Sequence, residues 1–142
     1  MTKKTEICES FSKIKWHDSK LLEVHLIKNS EKGLYDLRLD LDLIVGYSDG
    51  KFEWKKQCAL FSDCRIMQMD LDLLGVLLCG GDIGAAVCRP DAAELEQRKR
   101  DKLRSFDLPQ DEDPLAEHVS FYFQMCPPGG EFMILAKDFE LS

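Results

Sequence analysis

The sequence predicts a single α+β domain. It has a predominantly antiparallel sheet of five to six or more strands and one clear helix, over about residues 91–104, packed at its surface. Three observations lead there. Five segments alternate apolar and polar side chains with period two, which turns one face of each strand inward and the other to water. Turn residues separate several of them at hairpin spacing. One stretch alone opens with a clear helix-capping pattern. The length of 142 residues, 44% hydrophobic and 32% charged, is that of one ordinary globular domain.

Taken in order, residues 1–10 are expected to fray. Leu22, Val24 and Leu26 then alternate with Glu23 and His25. After the turn Asn29-Ser30-Glu31-Lys32-Gly33, the residues Tyr35, Leu37, Leu39, Leu41, Leu43 and Val45 alternate with Asp36, Arg38, Asp40 and Asp42. A helix would scatter these leucines around its circumference, so residues 21–28 and 34–45 read as a hairpin. Following Ser48-Asp49-Gly50, the residues Phe52, Trp54, Cys58 and Leu60 share one parity, the expected apolar face of a third strand. Residues 64–73 set Met67, Met69, Leu71 and Leu73 opposite Gln68, Asp70 and Asp72. Near the end, Val119, Phe121, Phe123 and Met125 line one side of a strand. Pro127-Pro128-Gly129-Gly130 turns it into a last strand over residues 131–139. Its middle, Met133 to Ala136, is apolar on both parities, as in a strand covered on both faces.

Residues 74–89 mix glycines with apolar residues and are expected to form a short helical turn followed by a loop. Asp91 and Glu94 then make a capping box for the helix, whose apolar stripe is thin. Residues 107–117 carry Asp107, Asp111, Glu112, Asp113 and Glu117 with two prolines and no base, the composition of an acidic loop.

Nineteen basic against 26 acidic side chains give a net charge of −7. That argues against a general binder of phosphate backbones, so no nucleic acid is expected as partner. The mostly apolar run from Leu71 to Leu78 is far short of the roughly 20 residues of a membrane helix. No apolar segment follows the charged opening residues, so a cytoplasmic location without membrane partner is expected. The six cysteines lack C-x-x-C spacing and are expected to be reduced thiols.

No catalytic signature emerges. Trp16-His17-Asp18-Ser19 contains the residue types of a hydrolytic triad, but neighbours in an extended chain point to opposite faces, and G-x-S-x-G is absent. The expected role is local: Trp16 buried, Asp18 and Ser19 closing the turn into the next strand. A ligand site at Trp16, His17, Asp18 and Ser19 is the alternative. Metal ligands would have to converge from several strands, with His17, Asp18, His25, His118, Asp36, Asp40 and Asp42 as candidates. Asp40 and Asp42 share one face, as do Asp70 and Asp72, and these four would cluster if their strands were neighbours. The expected state is a solvated face with no metal and no cofactor. Gly80-Gly81-Asp82-Ile83-Gly84 lacks the Lys and Ser/Thr of a phosphate loop.

Trp16-His17-Asp18-Ser19, the following Leu22 and an alternating β body ending in Phe139-Glu140-Leu141 resemble small bacterial proteins that open with W-x-D-S and a strand. Some of these are similar to the polymorphic-toxin immunity family numbered fifty. The resemblance implies a stoichiometric binding protein without catalysis and transfers no functional residue. The expected function is therefore non-enzymatic protein binding, with a basic partner meeting Asp107, Asp111, Glu112, Asp113 and Glu117. One alternative is a small-ligand or metal-binding domain, or an enzyme, with a site near His17, Asp18 and His25. Another is a structural subunit, a homodimer joined by a sheet edge or a Met/Phe-rich face.

Overall fold

The computed structural model describes residues 2–31, 33–90, 97, 100, 101, 104, 105 and 115–142. Helix α1 (Lys3–Ser12) leads to strands β1 (Lys20–Asn29), β2 (Leu34–Ser48), β3 (Lys51–Ser62) and β4 (Ile66–Leu71). The short helix α2 (Leu73–Leu78) precedes β5 (Ile83–Arg89), and β6 (Val119–Met125), β7 (Gly130–Ala136) and β8 (Asp138–Leu141) follow. The strands form two four-stranded sheets, ordered β1-β2-β3-β8 and β4-β7-β6-β5. Every pairing within them is antiparallel. The chain is thus the α+β, mainly antiparallel domain that the alternation predicts.

The core lies where the sheets' apolar faces meet. Leu37, Leu39, Leu41, Leu43, Ala59 and Phe61 from the first sheet join Phe121, Phe123, Met125, Phe132, Ile134 and Ala136 from the second in one buried cluster. Phe61 and Phe121 touch across it at 4.8 Å between ring centroids. Strand β7 is interior to its sheet and apolar on both parities. Its outward Leu135 is buried under Leu115 and Ile66, as its composition implied.

Several expectations need correction. The N-terminus is not frayed in residues 3–10, because α1 buries Ile7, Cys8 and Phe11 along one stripe while the Thr2 side chain caps its first turn. Phe11 stacks on Trp16 at 4.7 Å and meets Phe121 at 5.2 Å. In residues 74–89 the expected short helical turn is present, but a strand stands where the loop was expected. They are α2 and then β5, an edge strand anchored by buried Ile83 and Cys88 and paired along β6. The segment 131–139 is two strands, since the chain leaves one sheet after Ala136 and enters the other at Asp138. In β3 the inward face is Ala59 and Phe61, which pair with Leu39 and Leu37, so Phe52 and Trp54 lie in water. Most of the helix expected at about 91–104 lies outside the described residues. Within it Gln97, Arg100, Asp101 and Arg104 are helical and exposed. Gln97 Nε2 donates to Asp101 Oδ1 at 3.0 Å, an i,i+4 pair.

Candidate functional site

Among the described residues, three regions carry chemistry or exposed apolar surface. The first is Trp16-His17-Asp18-Ser19, which the structure assigns mainly to packing. Trp16 is buried and its Nε1 donates to Phe11 O at 2.9 Å. Ser19 is buried, donates to Lys15 O, and accepts from Ile44 N at 3.0 Å, tying the turn to β2. Asp18 adopts φ of +67°, the left-handed conformation that Asp tolerates in turns. His17 and Asp18 do not relay to Ser19: His17 Nδ1 is 2.8 Å from Gly84 O, and its Nε2 is 3.5 Å from Asp18 Oδ2. His17 and Asp18 instead border an open cavity of about 510 Å³ with Trp16, Ile44, Phe52 and Gly84.

The second region is the outer face of the β1–β2 hairpin. The register running back from the Asn29–Leu34 turn pairs His25 with Arg38 and Glu23 with Asp40, and a bulge at Leu22 shifts it beyond them. His25 Nε2 lies 2.9 Å from Glu23 Oε2 and 3.0 Å from Asp40 Oδ2. Asp40 Oδ1 accepts from the Cys58 thiol at 3.2 Å, across the β2–β3 pairing. Arg38 Nε stands 3.2 Å from the same oxygen, an ionic contact without hydrogen-bond alignment. The thiol hydrogen bond, with His25 and Arg38 adding to it, holds the Asp40 carboxyl below its ordinary pKa, and the same bond pushes the Cys58 thiol up. Among the described residues, Glu23, His25 and Asp40 are the group of three donors close enough to share one ion. Of the sequence candidates, His25 and Asp40 therefore come together. Asp36, Asp42, His17, Asp18 and His118 do not join them, and Asp40/Asp42 and Asp70/Asp72 stand in different sheets or off the sheet. Asp72 caps α2 through Gly75 N. Glu23 and Cys58 were missed as donors. Counting back from the 29–34 turn brings Glu23 opposite Asp40, so that much was available in the sequence.

The third region is apolar. On α2, Leu73, Leu74, Leu77 and Leu78 are 65–75% exposed, while Gly75 is buried against the Pro127-Pro128 turn. Asp70 and Asp72 are exposed beside them, and Glu131 pairs with Asp70. Beyond the loop that follows α2, Lys20 Nζ reaches Gly80 O at 3.3 Å and Asp82 Oδ1 at 2.5 Å and sits over the Trp54 ring. Trp54, Phe52 and Tyr47 form a second exposed patch at the β2–β3 tip, with centroid separations of 5.3 and 6.4 Å. Sequence reading missed α2 as a surface, because an apolar hexapeptide usually marks a buried segment.

Of the acidic candidates, Asp107, Asp111, Glu112 and Asp113 lie outside the described residues. Glu117 is exposed and ion-paired with Lys137 at 2.8 Å, which lowers its pKa. No disulfide joins the cysteines. No described helix is long and apolar enough to cross a membrane. No protein-family model, curated protein or solved structure matches the chain.

Proposed function

We propose that the chain is a non-enzymatic binding protein whose partner is a basic protein seated on α2, in keeping with a toxin-neutralising, immunity-type role. The observation that carries this reading is the set of four leucines left 65–75% exposed on one short helix. Contiguous exposed apolar side chains of this kind mark interaction surfaces in soluble proteins. Asp70, Asp72 and Glu131 give the patch an acidic rim, matching the usual arrangement of an apolar interface centre inside a polar border. With a net charge of −7 for the whole chain, the complementary partner is positively charged, and its approach is accelerated by opposite fields. Asp111, Glu112 and Asp113 add to that field in this reading.

The test is affinity capture from the source cell, followed by kinetics with the identified partner at two salt concentrations. Association should slow with salt, and Leu77→Asp with Leu78→Asp should abolish capture. Neutralising Asp111, Glu112 and Asp113 together should lower the on-rate more than it raises the off-rate. Self-association lost in the leucine variant would replace this reading with a homodimer through α2. Binding indifferent to both salt and the leucine substitutions would remove it.

A further inference from the structure

We infer that the outer face of the β1–β2 hairpin is a site for a transition-metal dication, with His25 Nε2, Glu23 Oε2 and Asp40 Oδ2 as its protein ligands and water completing the shell. The three atoms already converge, with Nε2 2.9 Å from one carboxylate oxygen and 3.0 Å from the other. One Nε2–H cannot point along both lines. In the tautomer with a bare Nε2, two carboxylates face its lone pair. A dication resolves either arrangement, because all three atoms then donate to one centre. Metal–nitrogen and metal–oxygen bonds of about 2.0–2.2 Å set tetrahedral ligand atoms roughly 3.3 Å apart. For the two nitrogen–oxygen pairs the required spreading is a few tenths of an ångström, and Glu23, 66% exposed, has the room to make it.

Two features of the hairpin prepare the site. The unbroken register from the Asn29–Leu34 turn sets Glu23 opposite Asp40, and the bulge at Leu22 interrupts the pairing only beyond them. Asp40 is oriented from behind: Cys58 Sγ donates to Oδ1 and Arg38 Nε lies beside that same oxygen, which leaves Oδ2 toward His25. Carboxylate ligands are commonly fixed in this way by partners outside the coordination shell. Arg38 offsets one of the two carboxylate charges, which disfavours Ca²⁺ and Mg²⁺, ions that demand many oxygen ligands. The imidazole nitrogen selects instead for Zn²⁺ and its neighbours Co²⁺, Ni²⁺ and Cu²⁺. This site is on the β1–β2 hairpin and does not depend on protein binding at α2.

The experiment is calorimetric titration of the intact, reduced protein with Zn²⁺. It is repeated with Co²⁺ under visible and near-ultraviolet absorption, and accompanied by ¹⁵N spectra of the histidine side chains. One equivalent should bind wild type and His17→Ala, whose histidine stands outside the site. Affinity should fall about tenfold or more in His25→Ala and Asp40→Asn. The His25 Nε2 resonance of the wild-type protein should shift on addition of Zn²⁺, which keeps the test decisive even where a variant is unstable. The Co²⁺ complex should lack the near-ultraviolet sulfur-to-metal band. Absence of saturable binding, undiminished binding by His25→Ala, or a strong sulfur band would each overturn the assignment.

Discussion

Leucines of β2 and leucines of α2 are the same side chain with opposite fates. Leu37, Leu39 and Leu41 are fully buried, whereas Leu73, Leu74, Leu77 and Leu78 are mostly in water. The difference lies in what stands opposite them. Strand β2 is flanked by β1 and β3, and its inner face looks onto the second sheet, so each leucine meets a neighbour in its own sheet and another across the core. Helix α2 is attached by Gly75 and the partly buried Val76, and its leucines point away from that contact. Burying a leucine is worth about 1.5–3 kcal/mol, and α2 leaves most of that unrealised within the monomer. Apolar content therefore supports the fold in one region and is available to a partner in the other.

The comparison breaks most visibly in the core. Phe11→Ala should destabilise by about 3–5 kcal/mol, since the ring is fully buried and joins α1 to Trp16 and Phe121. Leu39→Ala should cost about 2–5 kcal/mol, a large share of a typical total of about 5–15 kcal/mol. Urea unfolding measures both, and a loss below about 0.5 kcal/mol, the range of surface sites, would place either residue wrongly.

Gly75→Ala sharpens the comparison at the seat of α2. A Cβ at this position would stand 2.5 Å from Pro128 O, so the helix must lift from the turn. The expected cost is about 1–3 kcal/mol, as for overpacking elsewhere. Hydrogen exchange should locate the loosened amides in α2 and not in β2.

A pH scan separates the buried polar groups from the exposed apolar ones. His118 is nearly inaccessible, and burial lowers its pKa despite the nearby Asp63 carboxylate. The unfolded chain protonates first, near its ordinary value of about 6.5. Stability is therefore full above that pH and falls as pH drops through it toward the lower folded value. Burial raises Asp63, but hydrogen bonding and charge from Arg65 outweigh it and leave the carboxyl below its ordinary pKa. Its stabilisation is present above about 3.9 and disappears in acid below that. His118→Gln should flatten the first decline in urea midpoints and leave the second.

The sheet strands were legible because period two is a strong signal wherever one face meets a core. The leucines of β2 and the phenylalanines of β6 sit where alternation placed them. Helix α1 was missed: Thr2 caps it, and Ile7, Cys8 and Phe11 share a face, but ten residues give few periods. Strand β5 was obscured by glycine and alanine, which carry little pattern at a sheet edge. The face of β3 was misread because Phe52, Trp54, Cys58 and Leu60 outnumber Ala59 and Phe61 on its inner parity; pairing to Leu37 and Leu39 decides it. At the hairpin site, His25 and Asp40 were visible as donors. The approach of Cys58 follows a register shift between Ile44 and Gly46 in the β2–β3 pair and left no local trace.

The central claim is tested most directly by measuring stability and partner binding on the same two variants. Leu39→Ala should lower the urea midpoint sharply, while the protein that remains folded still binds the partner. Leu77→Ala with Leu78→Ala should leave the midpoint within the roughly ±0.5 kcal/mol typical of surface changes, and should abolish or strongly weaken partner binding. A leucine pair on α2 that proves dispensable for binding, or as costly to stability as Leu39, would contradict the account.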